Sequence, residues 1–289
     1  MPELAEVELS RRIWNPGLGG AILRVSLHAG VRVFRGVNPA RLSRALTGST
    51  LLRSIARGKQ MVFVFDNAKK PDGTASWLGI HLGMEGSLLL ESAKSFEPGK
   101  HDHLVLWQKE HALVFRDIRH FGRVQFHSGG DEPAWWSAIA PDLTSAAFTP
   151  AVLAAFLQRR RNAPLKAVLL MQERFPGVGN WMADEILWRA RLHPAARAGT
   201  PSAEATQALW REVRFVCRES IRRIDADWNY PASWLFRHRW RNGGNCPRCR
   251  SELQRETIGG RTTCWCPRCQ PPTATPKKSR VETITPRPR

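Results

Sequence analysis

Short apolar runs separated by polar turn residues fill the first half of the chain. Runs of this length predict β-strands, and strands at such close spacing favour a β-sandwich or barrel. The clearest are residues 61–65, 87–90, 103–107 and 112–115. Turn residues such as Lys70-Pro71-Asp72-Gly73 separate them. Residues 5–13 are the exception, because their pattern predicts a helix.

Helical patterns follow from about residue 150, after a predicted linker at 127–133. Thr149 and Pro150 fit the N-cap and first turn of a helix over 151–160, and two more helices are predicted over 165–172 and 181–190. Thr200-Pro201 opens a longer helix with one apolar face. That face carries Leu209, Val213, Val216, Cys217, Ile221 and Ile224. Because Cys217 lies on it, we interpret this thiol as a core residue.

Composition narrows the class of protein. The 289 residues suggest about two domains, and 42% apolar with 24% charged residues is ordinary for a globular protein. No apolar run approaches the roughly 18 residues that a membrane span needs. The N-terminus is acidic and lacks a long apolar stretch, so we expect no secretory signal.

The charge balance points to a polyanionic partner. The formal net charge is +19, of which the tail at 271–289 supplies +4 (five basic residues and one acidic). We expect that tail to be disordered, because it cannot bury apolar surface. The remaining charge of about +15 makes nucleic acid the leading candidate and an anionic membrane surface the second. A generally Arg-rich proteome is the alternative explanation.

Four of the six cysteines form two Cys-Pro-Arg-Cys pairs with 16 residues between them. Cys246 and Cys249, with Cys266 and Cys269, can complete a tetrahedral zinc shell. Because protein fills all four positions, we expect a structural zinc ion. Cys264 does not fit the spacing and is interpreted as a free bystander. Residues 237–269 carry eight Arg and two Glu, so the hairpin suits phosphate contact, unless it serves only for packing.

A glycine loop precedes the helix predicted at 181–190. Gly177 and Gly179 let the backbone approach an anion closely. Asn180 can cap that helix, whose free N–H groups favour a phosphate. An ordinary tight turn between helices is the alternative.

The chain start offers a nucleophile. Removal of Met1 would leave Pro2 with a free secondary amine, and a terminal amine has a pKa near 7.7–8.0 against about 10.4 for Lys. A neutral amine can attack an aldehyde-level carbon and form an iminium. Glu3 and Glu6 lie close by for acid and base work. Taken alone the pattern is weak, because Pro at position two is common.

The motifs gain specificity when they are taken together and in order. They are residues 1–8, 81–88, 100–103 and 117–122, the loop at 176–180 and the four-cysteine hairpin. In this arrangement the chain closely resembles the formamidopyrimidine-DNA glycosylase / endonuclease VIII family of base-excision repair enzymes, over about residues 2–270.

The resemblance implies an α+β multidomain architecture. A catalytic β-sandwich with an N-terminal helix is expected over 1–128, and a helix–two-turn–helix DNA-binding domain over 134–236. A zinc-finger β-hairpin at 237–270 and the disordered basic tail at 271–289 complete the chain. DNA is expected in the cleft between the first two domains.

The resemblance also implies roles for single residues. Pro2 corresponds to the nucleophile that attacks C1′ of the damaged nucleotide, Glu3 to the acid/base that helps open the sugar, and Glu6 to a supporting carboxylate. Lys59 corresponds to a lysine that holds a phosphate beside the lesion. Further phosphate ligands are Asn180 and Arg261, and the side chains that fill the gap left by an everted base are Met84, Arg119 and Phe121. Core packing at strand ends is the alternative for Met84, Arg119 and Phe121, and a solvated lysine at a strand edge is the alternative for Lys59.

Three histidines resemble metal ligands at first sight. His81, His101 and His103 have no carboxylate or Cys partner at ligand spacing, so we expect structural or DNA-backbone roles for them. His101 is the one that we assign as a DNA contact.

The sequence departs from the family pattern at several positions. Ala5 replaces the usual Pro, and Ile118 and His120 replace the usual Pro and Arg around Arg119, which leaves the preference for the opposite base open. The stretch at 225–245 is short and Trp-rich, whereas family members that cap 8-oxoguanine have a longer lid there.

The resulting hypothesis is a bifunctional DNA glycosylase and abasic-site lyase. It excises oxidised bases such as formamidopyrimidines, with 8-oxoguanine left open, through a Schiff base at Pro2 and cleaves the strand by β,δ-elimination. The implied cofactor is one structural zinc ion and the partner is double-stranded damaged DNA. We expect a monomer with no membrane association, in the bacterial cytoplasm at the nucleoid. Alternatives are endonuclease VIII-like activity on oxidised pyrimidines, a non-catalytic damaged-DNA binder and a zinc-ribbon transcription factor.

Overall fold

The computed structural model describes residues 1–66, 75–129, 131–224 and 228–272. The turn predicted at residues 70–73 and the tail beyond residue 272 therefore lie outside the described residues. Within the described part of the chain, no helix combines the length and apolar character that a membrane crossing requires.

The N-terminal half forms two four-stranded antiparallel sheets packed face to face. One sheet has the strand order β1-β6-β7-β5 and the other β2-β3-β4-β8. Their buried faces share one apolar core, in which residues such as Phe63 and Phe115 are fully excluded from solvent. The predicted β-sandwich is thereby confirmed. The strands are β1 (Arg24–Leu27), β2 (Leu51–Arg57), β3 (Gln60–Phe65), β4 (Ser76–His81), β5 (Ser87–Ser92), β6 (Asp102–Trp107), β7 (His111–Arg116) and β8 (Arg123–Ser128).

Two helices accompany the sandwich. Helix α1 (Leu4–Arg12) corresponds to the helix predicted at 5–13. Helix α2 (Pro39–Leu46) was not predicted, although Asn38 caps it by accepting the backbone N–H of Arg41 and Pro39 begins it. Strand β8 extends to Ser128, so the linker predicted at 127–133 is wrong for its first two residues. Gly130 of that linker lies outside the described residues.

The helical half contains α3 (Ala134–Ser137), α4 (Pro150–Arg159), α5 (Leu165–Leu169), α6 (Asn180–Arg189) and α7 (Ala203–Arg223). Thr149 caps α4 as predicted, because its hydroxyl accepts the backbone N–H of Val152. Helix α5 is shorter than the predicted 165–172. Helix α7 begins after Ser202, whose hydroxyl accepts from Ala205, and not at Thr200. Cys217 on α7 is buried in the helical core, as expected.

A hairpin of β9 (Gln254–Ile258) and β10 (Arg261–Trp265) ends the described chain. Its apolar cluster joins Leu235, Leu253 and every cysteine except Cys217 to Trp188 of α6. The indole of Trp188 donates to Cys246 Sγ, and the guanidinium of Arg248 lies 4.1 Å from the same ring. The hairpin is therefore docked on α6.

Helix α1 connects the sandwich to the helical half. Leu4 and Ala5 belong to the core formed by the helical domain, whereas Val7 belongs to the core of the sandwich. The Leu4 N–H also donates to the carbonyl of Gly177 at 3.0 Å. The first residues of the chain are thus fixed at the junction of the two halves, where a cleft opens.

Candidate active site

The Glu3 carboxylate occupies the N-terminus of helix α6. Its Oε1 accepts the backbone N–H of Trp181 at 3.0 Å and its Oε2 that of Met182 at 3.1 Å. The first N–H groups of a helix have no partner inside the helix and favour negative charge. Glu3 therefore satisfies two of these donors from a position 178 residues away in sequence.

Glu6 forms a second carboxylate beside Glu3. Its Oε2 accepts the Glu3 backbone N–H at 2.6 Å, and its Oε1 accepts the indole N–H of Trp181 at 2.8 Å. Both carboxylates are buried. Because Trp181 contacts both of them, its ring and backbone fix their relative position.

Burial dominates the titration of both groups. Loss of hydration raises the pKa of Glu3 to about 7, with a further increase from the charge of Glu6, while the two helix N–H groups act in the opposite direction. Burial also raises the pKa of Glu6. Glu3 is therefore able to hold or release a proton near neutral pH, which is where a general acid is most useful.

Lys59 is a cation near the Glu3 and Glu6 carboxylates. Burial lowers its pKa, although the charge of Glu3 partly restores it, and Arg261 lowers it further. The Lys59 ammonium lies 3.9 Å from Met1 Sδ, so it is adjacent to the start of the chain. Met1 itself is more than half exposed, and Pro2 is partly exposed.

The residues beside Lys59, and Glu3 itself, pack closely against the glycine loop at 176–180. Gly58, with φ at +61°, lies so near Pro176 and Gly177 that an added Cβ would meet both. Gln172 stabilises the loop, because its side chain accepts the Gly177 backbone N–H and donates to the Val178 carbonyl. At Gly179 an added Cβ would overlap the Glu3 carboxylate.

These elements border a cleft of about 990 Å³. Seven of the predicted site residues line it: Pro2, Glu3, Glu6, Lys59, Met84, Asn180 and Arg261. They come from both halves of the molecule and from the C-terminal hairpin. Chain segments far apart in sequence therefore converge on one cavity.

Asn180 does not cap helix α6, which corrects the sequence interpretation. Gly179 is the N-cap residue and Asn180 is the first residue of the helix. The helix N–H groups are taken by Glu3, and the Asn180 amide instead donates to Thr262 O on β10 at 2.8 Å. Asn180 therefore links the helix to the hairpin at the edge of the cleft.

Met84, Arg119 and Phe121 lie on two adjoining loops. An added Cβ on Gly83 would strike the Phe121–Gly122 backbone, so the loops touch directly. Met84 and Phe121 are each 44% exposed, which excludes the alternative that they pack in the core. The Arg119 guanidinium lies 4.9 Å from the Phe121 ring and donates to Glu85 at 3.0 Å.

Asp117 stabilises the loop that carries Arg119 and Phe121. Its Oδ1 accepts the Arg119 N–H at 3.2 Å and its Oδ2 accepts the Gly122 N–H at 2.7 Å. The carboxylate is fully buried, so it acts as an internal support for the exposed side chains above it. His101 contacts this loop through its carbonyl, which accepts the Asp117 backbone N–H, and it does not line the cleft.

Sequence reasoning missed a buried ionic network below the cleft. Asp184 accepts from Lys166 through Oδ1 and from Arg239 through Oδ2, and the Cys264 backbone N–H also donates to Oδ2. Lys166 donates in addition to the Asn180 carbonyl at 2.6 Å. The network ties α5, α6 and the hairpin together. A Lys and an Asp among apolar residues of two predicted helices were the signals of it.

Aromatic side chains from the Trp-rich segment form one wall of the cleft. Tyr230 and Phe236 are buried and lie 5.1 and 4.9 Å from the Trp181 ring. Trp228 and Trp240 lie on Phe236 and are exposed to the cleft. At its described residues 228–245, the short Trp-rich segment thus forms a stacked aromatic surface.

The four cysteines fit a zinc ion. Their Sγ atoms all lie within 4.8 Å of one another, with 3.8 Å between Cys246 and Cys269 and 3.4 Å between Cys249 and Cys266. A tetrahedral shell with Zn–S bonds of about 2.3 Å requires sulfur atoms about 3.8 Å apart. Cys264, by contrast, lies outside this cluster, as predicted.

Three family models match the chain in order. Residues 1–124 match the formamidopyrimidine-DNA glycosylase N-terminal domain, residues 139–228 the H2TH domain of the same enzyme, and residues 243–272 the zinc finger found in FPG and IleRS. The sequence is 32% identical to a formamidopyrimidine-DNA glycosylase of Chloroflexus aurantiacus, over 93% of this chain and 98% of the relative. It is 35% identical to that of Geobacter metallireducens, over 93% and 100%.

Solved structures agree with the sequence comparison. The fold is similar to that of the Lactococcus lactis enzyme bound non-covalently to DNA with an abasic site, with a TM-score of 0.81 and 26% identity over 93% of this chain and 100% of that chain. A complex of the same enzyme with DNA that contains N7-benzyl-Fapy-dG gives the same TM-score and identity, over 94% and 100%.

Proposed function

The chain belongs to the formamidopyrimidine-DNA glycosylase family, and from this membership we propose that the residues of the cleft carry out base excision and strand cleavage. The protein is a DNA glycosylase with abasic-site lyase activity that removes oxidised bases from double-stranded DNA. The observation that carries the assignment of residues is the position of Glu3, Lys59 and the chain start around one cavity.

Pro2 is the nucleophile once Met1 has been removed. About a tenth or more of a terminal amine is neutral at pH 7, and the neutral nitrogen attacks C1′. The bond between C1′ and the damaged base breaks, and the base leaves with the proton that the nitrogen loses. The bond between C1′ and the ring oxygen then breaks, the oxygen takes up a proton, and the nitrogen becomes an iminium. Two eliminations follow, in which protons leave C2′ and C4′ and the C–O bonds to the 3′ and 5′ phosphates break.

Glu3 is the acid that protonates the sugar ring oxygen as the ring opens. Its raised pKa supports this role, because a carboxyl that titrates near 7 still holds a proton at neutral pH. Glu6 fixes the Glu3 backbone through the 2.6 Å hydrogen bond and keeps the carboxylate aligned. Glu6 is therefore a supporting group.

Lys59, Asn180 and Arg261 hold the DNA backbone. All three line the cleft, and two of them are cationic, which suits phosphates on either side of an everted nucleotide. The net charge of +19 adds attraction that is independent of DNA sequence. His101, on the loop side, contacts a more distant phosphate.

Met84, Arg119 and Phe121 fill the space that the damaged nucleotide leaves. Eversion of a base costs a few kcal/mol, and apolar wedges between base pairs offset part of this cost. The two exposed apolar side chains on adjoining loops support the wedge role. Arg119, which lies over the Phe121 ring, faces the orphan base.

Ring-opened purines are the substrates that we favour among oxidised bases. Relatives 32% and 35% identical to this chain are named for formamidopyrimidines, which are ring-opened purines. The aromatic wall of Trp228 and Trp240 offers an everted base a stacking surface. The enzyme works on chromosomal DNA, in the bacterial cytoplasm. Its zinc ion holds the hairpin that carries Arg261 and takes no part in the chemistry.

Borohydride trapping tests the nucleophile. The protein with Pro2 exposed should form a covalent adduct with duplex DNA that carries a ring-opened purine. A chain with a short extension before Pro2 should form none, because its nitrogen is then an amide. The same extension at the C-terminus is the control. An adduct formed by the N-terminally extended protein would assign the nucleophile elsewhere.

A further inference from the structure

Three histidines converge beside the loop that carries Arg119 and Phe121. One ring nitrogen from each of His101, His103 and His120 lies within 4.8 Å of the others. We propose that these side chains bind a divalent transition-metal ion, with zinc as the expected ion, at a site separate from the four cysteines. Sequence spacing did not suggest it, because His120 is 17 positions beyond His103 and reaches it only through the fold.

The strand and the loop bring different ligands to the site. His101 precedes and His103 follows Asp102 at the start of β6, where the pairing with β7 is irregular. His120 comes from the loop after β7, and its ring lies 4.6 Å from that of His103 and 6.5 Å from that of His101. An ion bound here would join the loop to the sheet.

His103 has the hydrogen bond that a metal ligand requires. Its Nε2 lies 2.8 Å from the Asp117 carbonyl, so this nitrogen carries the proton and Nδ1 is left as the electron-pair donor. Metal-binding histidines characteristically donate their second N–H to a backbone carbonyl or carboxylate in this way. The His103 ring is fully buried, which fixes its orientation.

Two buried nitrogens point to a ligand. Nδ1 of His103 and Nδ1 of His101 are both shielded from solvent and have no hydrogen-bond partner among the described residues. Buried polar atoms without partners are rare in folded proteins and call for an explanation. A metal ion would satisfy both atoms at once. Coordination through Nδ1 of His101 also leaves its Nε2–H able to meet a DNA phosphate.

His120 is held in a costly backbone conformation. Its φ is +57°, in the left-handed region that non-glycine residues seldom adopt. Asp117 enforces this conformation by accepting the backbone N–H groups on both sides, from Arg119 and Gly122. The loop therefore presents the imidazole of His120 towards β6.

The donor set selects the class of metal. Three neutral imidazoles suit zinc, copper, nickel or cobalt, whereas magnesium and calcium prefer oxygen ligands. The nearby Asp102 is already paired with Arg116 and the Asp117 carboxylate with backbone N–H groups. Three protein ligands leave a fourth position of a tetrahedral ion open to water or to a phosphate oxygen.

The rings must move slightly to reach binding distance. Zn–N bonds of about 2.0–2.1 Å place tetrahedral nitrogens about 3.4 Å apart. His101 and His120 are partly exposed and can rotate, while His103 stays fixed. Metal binding would thus lock the Arg119 loop against β6, a positioning effect on the side chains that enter DNA.

Metal counting tests the proposal without any activity assay. The full-length protein, with zinc already in the cysteine site, is dialysed against free zinc at about pH 7.5, where imidazoles are mostly neutral. Elemental analysis should give two zinc ions per chain. His120→Asn should give one, and Asn tolerates the left-handed conformation, so the loop fold is kept. His111→Asn, which changes a histidine on β7 outside the cluster, should keep two.

Cobalt provides the second measurement. Co²⁺ added to the zinc-loaded protein should produce visible absorption without thiolate-to-metal charge transfer, and His120→Asn should abolish it. Loss of an outer-sphere partner alone lowers metal affinity about 10–100-fold, so loss of a ligand should cost at least as much. One zinc ion in the unmodified protein, two in His120→Asn, or thiolate bands with Co²⁺ would each overturn the proposal.

Discussion

Glu3 and Trp181 are joined by two hydrogen-bonded connections, one direct and one through Glu6. The Trp181 backbone N–H donates to Glu3 Oε1, and its indole N–H donates to Glu6, which in turn accepts the Glu3 N–H. The acid proposed for catalysis is thus held by a helix of the other half of the molecule. Any change that displaces this helix start also displaces the acid.

Gly179→Ala should inactivate the enzyme with a smaller effect on folding. The added Cβ would overlap the Glu3 carboxylate and push it away from the Trp181 and Met182 N–H groups. A displacement of about 1 Å in a catalytic group can lower the rate about 100-fold. Overpacking costs about 1–3 kcal/mol of stability. Single-turnover excision and thermal unfolding measure the two effects.

Gly30→Ala is the matched control for that variant. Nothing lies within 4 Å of a Cβ at Gly30, so its excision rate should equal that of the unmodified enzyme. A Gly179→Ala protein with full activity would contradict the proposed role of the Glu3 position.

The pH dependence of excision should be bell-shaped, with its maximum between about pH 7 and pH 8. Glu3 must hold a proton, and its pKa of about 7 means that the protonated share falls tenfold per pH unit above that value. Pro2 must lose a proton, and its neutral share rises up to a pKa near 7.7–8.0. Single-turnover excision rates measured from below pH 7 to above pH 8 give the acidic and the alkaline limb of the profile.

Substitution of the acid should remove the alkaline limb of the pH profile. Glu3→Gln should lower the maximum rate and remove the decline at high pH, since no carboxyl is left to titrate. Glu8→Gln should keep the bell shape, because Glu8 is paired with Arg11 and Arg12 outside the cleft. An alkaline decline that persists in Glu3→Gln would assign that limb to another group.

Arg119→Ala should weaken the discrimination between bases opposite the lesion. The exposed guanidinium is placed over Phe121, and a good contact between a side chain and a base contributes about 1–3 kcal/mol of discrimination. Excision rates on four duplexes that differ in the opposite base measure this effect. Arg44→Ala, an exposed arginine on α2, should leave the ratios unchanged. Unchanged ratios in Arg119→Ala would exclude the role.

The sequence predicted the long strands and helices of this protein better than the short helices and the exact helix starts. Alternation and short apolar runs located β3, β5, β6 and β7 because each strand buries its own apolar side chains. Helix α2 was missed, because its signal was a single Asn-Pro pair amid polar residues. The start of α7 was misplaced by two residues, since Ser202 offered a better cap than Thr200.

The position of the site residues followed from motif order, but their contacts did not. The resemblance named Glu3, Lys59 and Asn180, whereas the glycine-loop pattern predicted that Asn180 caps α6, and that prediction is wrong. That position is taken by a carboxylate that no local pattern could bring there. The Asp184 network and the His120 cluster were invisible for the same reason, because each joins residues from separate elements.

Removal of zinc should release the hairpin and leave the sandwich folded. The four cysteines hold residues 246–269 together, and structural zinc contributes folding free energy directly. Loss of the hairpin would remove Arg261 from the cleft and break the bond from Asn180 to Thr262. Hydrogen exchange should therefore increase in β9 and β10 and remain slow in β3 and β7, while DNA affinity falls.

Restored zinc should reverse both changes, which separates metal loss from general damage. Protection of β9 and β10 that survives chelation would show that the Asp184 network and packing on Trp188 hold the hairpin without metal.

Trp240→Ala should impair the excision of a base more than the cleavage of an abasic site. The Trp240 indole is 56% exposed and lines the cleft beside Trp228, where an everted base would stack. Stacking of an aromatic side chain on a base contributes about 1–3 kcal/mol, so excision from a duplex with a ring-opened purine should fall about tenfold or more. An abasic duplex has no base to stack, so its cleavage rate should change little.

The ratio of the two rates distinguishes base recognition from damage to the catalytic groups. Trp135→Ala is the control, since that ring packs over Gly79 of β4 and does not line the cleft. Equal losses on both substrates in Trp240→Ala would mean that the aromatic wall positions Glu3 through Trp181 and Phe236. The wall would then support the catalytic groups and would not bind the everted base.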